Sequence, residues 1–354
     1  MTKKPIRLSI ETLGDDYLPA VQEGLGWVGA RSSIKRGDHV FIKPNLTFPV
    51  YRKGVMTNPE CIEAMVVALK DYTNRITVGE SDSGGYNRFA MDAVLEKTGI
   101  KGLEKRYGIR VVNLSHHPDR CIEFPHQGRN LKVPFPVMLL DETDLFVSAA
   151  VPKIHMYTGM SAAVKNLWGC VPHPAVRLKL HPSLEKVLFE ITKRLPPSLA
   201  VIDGRYGLNR CGPLEGDAVE LNWLMVADNL YAADVACCHL MQLDPRSIRY
   251  LRHARQEEAL PEIEEIAFRQ DWRQFVRDKF YLQRQWTDYP GLLAFRSRLL
   301  AYVAYYSPAA SWLHKILYLF RPPFYNYKSP DTTLDSPERS VSQHGEVPCS
   351  TARR

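Results

Sequence analysis

The chain lacks several things that would have classified it at once: paired cysteines, a long basic run, a membrane-spanning apolar segment and a nucleotide-binding glycine motif. Its seven cysteines, Cys61, Cys121, Cys170, Cys211, Cys237, Cys238 and Cys349, are scattered without a CxxC pair. That argues against a disulfide framework or a cysteine-only metal site, and most read as reduced structural thiols. The charge excess is modest, +7 from 46 Lys and Arg against 39 Asp and Glu. It suits an anionic partner without favouring nucleic acid. Met1-Thr-Lys-Lys-Pro is not followed by the apolar core of a signal peptide, which predicts a cytoplasmic protein. The glycine-rich Ser81-Asp-Ser-Gly-Gly85 matches neither GxGxxG nor the P-loop spacing, so no nucleotide site is supported by motif.

What is present is ordinary core material. With 354 residues, 45% hydrophobic and 24% charged, the chain reads as globular. Its length predicts two lobes, or one large lobe with an appendage. Residues 39–46 read as a strand broken at Pro44, and Asn58-Pro59 opens an amphipathic helix to about Asp71. Ile76-Thr-Val-Gly79 and residues 109–114 are further strands, and residues 120–140 suit a hairpin. Leu145-Phe-Val-Ser-Ala-Ala-Val151 is an uninterrupted apolar run, as in a strand covered on both faces. A helix over 183–194, the strand Leu199-Ala-Val-Ile202, a strand near 221–226 and a helix over 230–241 complete an α/β alternation. The predicted fold class is α/β, a mostly parallel sheet flanked by helices, with a C-terminal helical extension. The core domain is expected over residues 1–245, the extension, without further strands, over 246–328, and a disordered tail over 329–354.

Four predicted strands end alike: in Lys43-Pro-Asn45, Glu80-Ser-Asp82, Lys153-Ile-His155 and Asp203-Gly204. If the strands are parallel neighbours, these side chains converge on the carboxyl edge, where open α/β sheets bind ligands. Turn and cap chemistry explains any one of them; all four together point to a site. Lys43, Lys153 and Lys165 would set up a positive field for a carboxylate or phosphate. Lys165 stands out because Met160-Ser-Ala-Ala-Val-Lys-Asn-Leu-Trp168 reads as a largely buried helix. Glu80, Asp82 and Asp203 are candidate bases or divalent-metal ligands, with Asp82 the candidate ligand. His155 and His181 are candidate acid–base groups, although turn chemistry explains His181-Pro182 as well. Cys170-x2-His173 has a zinc-like separation, but its spacing to His155 and His181 is irregular and His173-Pro174 reads as a loop.

From Trp286 to Tyr327 the chain is rich in Leu, Tyr, Phe and Trp, with nearly all its charges basic. Neither apolar stretch there reaches the roughly 20 residues of a transmembrane helix. One reading is an interfacial helix pair meeting anionic lipid. The favoured one is a cap packed on the sheet or on a second subunit, because apolar helices usually pack inward.

Lys43-Pro-Asn45, Gly79-Glu-Ser81, Pro152-Lys-Ile-His155 with Thr158, Val164-Lys-Asn166 with Gly169, His181, Ile202-Asp-Gly204, Gly212-Pro213 with Gly216, and Asp228 with Asp234 carry a resemblance. In order and approximate spacing they resemble the signature of the domain of unknown function 362 family across residues 40–240. The resemblance implies an α/β domain and no particular reaction. Some relatives add a ferredoxin-like domain with cysteine-held iron–sulfur clusters; this chain has no such cysteine motif, so no cluster is expected. The sequence therefore points to an enzyme for a small anionic substrate. His155, Asp203, Glu80 and His181 are its catalytic candidates, and Lys43, Asn45, Lys153, Thr158, Lys165 and Asn166 its substrate-binding ones. A divalent metal is a candidate cofactor, and the reaction class stays open between metal-assisted, redox and proton-transfer chemistry. The alternative is a non-catalytic module that binds an anionic ligand or a membrane surface through residues 286–328. Homo-oligomerisation is left open.

Overall fold

The computed structural model describes residues 5–321 and Pro323. Its strands are β1 (Ile6–Thr12), β2 (His39–Lys43), β3 (Arg75–Glu80), β4 (Ser83–Gly84), β5 (Arg88–Phe89), β6 (Arg110–Asn113) and β7 (Asp119–His126). They continue with β8 (Arg129–Pro136), β9 (Leu145–Ala150), β10 (Lys153–His155), β11 (Gly159–Ser161), β12 (Ser198–Asn209), β13 (Asp217–Ala227) and β14 (Ile266–Phe268).

The main sheet runs in the order β14-β1-β13-β12-β9-β2-β3-β6. From β12 to β6 all neighbours are parallel, as the alternation of strand and helix predicts. β13 is antiparallel to both β12 and β1. β9 lies at the centre with all six residues buried, which is why its sequence is apolar without alternation. Period-two alternation then divides the interior between the two faces. Val40 and Ile42 pack on one face with the helices Leu18–Trp27 and Pro59–Lys70. Phe41 packs on the other with Leu184–Thr192 and Leu230–Leu240.

Local signals place the helices. Asn58 accepts from the Glu60 N–H at 2.9 Å and Pro59 occupies the first turn, so the helix begins where the dipeptide predicts. Asn229 likewise accepts from Ala232 N–H at 3.0 Å. The predicted hairpin is β7 paired antiparallel with β8.

Two expectations shift. The strands near the ends of the sequence are more numerous: β1 was not anticipated, and β14 lies beyond residue 245, where none was expected. β14 is three residues long and pairs in parallel with β1, so the sheet itself continues past 245. So short a strand leaves no readable period. The helical part that follows comprises Tyr289–Ala294, Arg298–Tyr305 and Ala309–Phe320. No helix among the described residues is long and apolar enough to cross a membrane. The tail expected from residue 329 lies outside the described residues, as do residues 324–328 of the extension.

Candidate functional site

The carboxyl ends of β2 and β3 bring Lys43 and Glu80 together, with Nζ 2.5 Å from Oε2 and both side chains buried. Lys43 also donates to Asn166 Oδ1 at 3.0 Å and to the Pro44 carbonyl at 3.1 Å. Its three N–H groups are thus all taken within the protein. Lys153, the first residue of β10, is similarly saturated: it donates to Asn45 Oδ1 at 2.6 Å, Val55 O at 2.8 Å and Thr47 Oγ1 at 3.4 Å. Asn45 and Asn166 join the two lysines, since Asn45 Nδ2 donates to Asn166 Oδ1 at 3.3 Å. Asn166 Nδ2 donates to Lys43 O at 3.0 Å and Ser148 Oγ at 3.2 Å, tying the network to β9.

The backbone admits this network only through Gly169. A Cβ there would stand 2.4 Å from Glu80 Oε1 and 2.7 Å from Lys43 Nζ. The carbonyl of Gly169 accepts from Ser81 Oγ at 2.6 Å, and Arg177 donates to the same hydroxyl at 2.8 Å and to the Asp82 carbonyl.

Lys165 differs from the other two lysines. It is 9% exposed, and its ammonium has no hydrogen-bond or ion-pair partner among the described residues. The Trp168 ring lies near it, with Nζ 5.7 Å from the centroid. Burial, with Arg177 and Lys43 nearby, holds its pKa down at about 7; burial, Lys165 and Lys43 do the same for Lys153. The turn that carries Lys165 and Asn166 is fixed by Asp234, which accepts from Val164 N–H at 3.2 Å and from Tyr250 OH at 2.6 Å. Burial raises the Asp234 pKa to about 7.

Two imidazoles share the electrostatic surroundings of Lys165. His155 Nδ1 accepts from Tyr157 N–H at 3.1 Å, so the neutral ring carries its proton on Nε2. His181 has the opposite arrangement: Nδ1 lies 2.8 Å from the Arg177 carbonyl, to which it donates, leaving Nε2 as an acceptor. Burial, then the charge of Lys165, pushes His155 well below its ordinary value and His181 to about 3. Both are neutral at physiological pH. His181 meets the edge of Trp168 at 5.2 Å and stacks on Phe295 at 4.0 Å, so the C-terminal helices cover this end of the site. Tyr306, also from the extension, donates to the Ala175 carbonyl.

The other candidates are placed elsewhere or used locally. Asp203 makes no hydrogen bond or ion pair with the lysines among the described residues. Ile202 packs on the face that holds Phe41, so strand alternation points Asp203 to the opposite face. There it accepts from Tyr17 OH at 2.9 Å and from Asn58 N–H at 2.8 Å. Asp203 thereby anchors the start of the helix at Pro59. Asp82 accepts from Met91 N–H at 2.9 Å and Asn113 Nδ2 at 2.8 Å. Thr158 donates to Met160 O at 2.8 Å. Among the described residues no group of three or more His, Cys, Asp or Glu side chains could hold a metal ion. His173 pairs with Asp119 at 2.9 Å, and burial raises the Cys170 thiol to about 12. A cavity of about 260 Å3 at the opposite ends of β9 and β12, lined in part by Leu145, Ser198 and Asp228, holds none of the site candidates.

Sequence reading missed Arg177, Ser148 and Phe295. A lone arginine in the apolar run Pro174-Ala-Val-Arg-Leu was a signal for the first. Ser148, a single polar residue inside a fully buried strand, was a signal for the second. Phe295 had none, because an aromatic in an apolar segment is unremarkable.

The buried cations lie at the carboxyl ends of a mostly parallel sheet flanked by helices, the edge at which open α/β sheets bind ligands. The chain belongs to the family described as Domain of unknown function (DUF362), which it matches over residues 40–239. It is 27% identical over 241 residues to a thylakoid-associated protein of Synechocystis sp., covering 65% of this chain and 71% of that one. Among solved structures it is similar to a protein from Thermotoga maritima, at 13% identity over 66% of this chain with a TM-score of 0.42. A second is the lactate racemase apoprotein from Thermoanaerobacterium thermosaccharolyticum, at 14% identity over 67% of this chain with a TM-score of 0.41. The chain spans 61% and 57% of the lengths of those two chains.

Proposed function

We propose that the protein is an enzyme that binds a small carboxylate or phosphate at Lys165 and acts on it by general acid–base chemistry. The observation that carries this reading is the unpartnered, buried ammonium of Lys165 beside two neutral imidazoles of opposite tautomer. A buried cation without a counter-charge is unfavourable unless a ligand supplies one. Lys43 and Lys153, whose donors are saturated, contribute field and rigidity and no direct bond to the anion. His155 presents an N–H donor and His181 a lone-pair acceptor, so the two neutral rings can polarise a bound molecule and orient a proton on it. Asn45, Asn166 and Glu80 hold the lysine framework. One oxygen of Asp82 accepts two protein donors, and among the described residues no group of three His, Cys, Asp or Glu forms around it.

A cytoplasmic location, with contact to a membrane surface through the C-terminal helices, belongs to the same proposal. The test is titration calorimetry with inorganic phosphate and with a series of small mono- and dicarboxylates. Binding by the native protein that Lys165→Met weakens about 10- to 100-fold, and Lys165→Arg partly restores, supports the reading. Equal binding by the native protein and Lys165→Met would overturn it.

A further inference from the structure

The C-terminal helices pack in an inverted manner. Toward the protein they bury Ala294, Ala301 and Ala310, together with the partly buried Phe295. Outward they present their bulky apolar residues: Leu319 is 80% exposed, Leu299 70% and Trp312 63%. Of the fourteen exposed large hydrophobic residues described, twelve lie between Trp286 and Phe320. A globular surface of mixed origin would scatter them; concentration in one short stretch marks an interaction face.

The charge on that face is of one sign. From Tyr289 to Arg321 there is no Asp or Glu, while Arg296, Arg298, Lys315 and Arg321 are cationic. Arg321 is paired to Asp288 and Glu215, whereas Arg296 and Lys315 are exposed. Trp286, Tyr289, Tyr302 and Trp312 add rings with one polar atom each, a composition suited to the headgroup boundary. A second copy of the same face would bring cation against cation with no acidic complement.

We propose that the outer face of helices Tyr289–Ala294, Arg298–Tyr305 and Ala309–Phe320 docks on a bilayer surface bearing anionic headgroups. This deepens the membrane-peripheral part of the proposed function and rests on it. The apolar side chains enter the headgroup boundary while Arg296 and Lys315 meet the lipid charge. Because Phe295 on the inner side stacks on His181, docking also sets the covered end of the anion site against the lipid surface.

The experiment is co-sedimentation of the full chain with vesicles of phosphatidylcholine alone and of phosphatidylcholine with phosphatidylglycerol. The expected result is binding to the anionic vesicles that weakens at high salt. Leu299→Asp combined with Leu319→Asp should lower it about tenfold or more, leaving phosphate binding at Lys165 unchanged. Arg296→Glu combined with Lys315→Glu, at exposed positions, should do the same if the first pair impairs folding. The proposal is overturned by no binding to either vesicle. It is equally overturned by a dimer in solution that the Leu299 and Leu319 substitutions dissociate. Anion binding measured without vesicles reports on the site alone, so loss of one result leaves the other standing.

Discussion

Lys43 Nζ stands 2.5 Å from Glu80 Oε2 with both side chains buried, a close pair of opposite charges inside the candidate site. Lys43→Met would leave the carboxylate buried without its cation, which destabilises by about 3–5 kcal/mol. The double variant Lys43→Met with Glu80→Leu should recover a large part of that loss. Urea unfolding of the two single variants and the double checks the coupling; strictly additive losses would mean that the pair does not act as a unit.

Gly169 is where the backbone comes closest to this pair. Gly169→Ala would drive a methyl into Glu80 Oε1 and Lys43 Nζ, at 2.4 and 2.7 Å. A loss of about 1–3 kcal/mol is expected from overpacking. Thermal unfolding tests it, and a native-like transition would mean that the turn relaxes freely.

Lys165→Met should keep the fold and lose about 10- to 100-fold in anion affinity, the range for hydrogen bonds to a charged group. The pH dependence has a definite sign. With the folded pKa lowered from 10.5 to about 7, binding of an anion by the charged ammonium tightens as pH falls through neutrality. For stability the lysine runs the other way. Between about 7 and 10.5 the unfolded chain holds the proton and the folded one does not, so the stability of the native protein rises with pH there. Lys165→Met cannot titrate, so its stability advantage over the native protein should shrink across that window. Denaturant titrations at several pH values would show it, and a pH-independent difference would contradict the assignment.

Asp203→Ala should act on stability and not on the anion. It removes the acceptor for Tyr17 OH and for Asn58 N–H, each of which would be left unsatisfied at a cost of about 1–3 kcal/mol. Calorimetry on the folded variant should return native phosphate affinity. A large affinity loss at unchanged stability would place Asp203 in the binding machinery after all.

Phe295→Ala opens the covered end of the site. Burial is the main cause that lowers His181 to about 3, so admitting water should raise its pKa toward 6.5. Imidazole resonances followed by NMR through acid pH report the shift directly, and an unmoved titration would show that Phe295 does not exclude solvent.

The α/β class was legible because it rests on local patterns. The apolar run 145–151, bounded by Pro152, fits a strand covered on both faces, and Asn58 and Asn229 carry helix starts in their own side chains. The buried character of Lys165 was legible too, from the apolar residues around it. The saturation of Lys43 and Lys153 was not. Their acceptors Glu80 and Asn166 for Lys43, and Asn45 and Val55 for Lys153, lie 37, 123, 108 and 98 positions away in the chain. Nor could sequence place Phe295 on His181.

By itself the sequence determined which residues end the parallel strands, because alternation of apolar runs and helix signals is a property of neighbours along the chain. It determined the cationic character of the region for the same reason. Only the tertiary structure decided which of those residues meet. Side chains of a strand alternate between faces, so Asp203 points to the face opposite Phe41, where Tyr17 and Asn58 from distant segments take its oxygens. Which lysine keeps its donors free depends on acceptors brought in from distant segments, and that left Lys165 as the open cation.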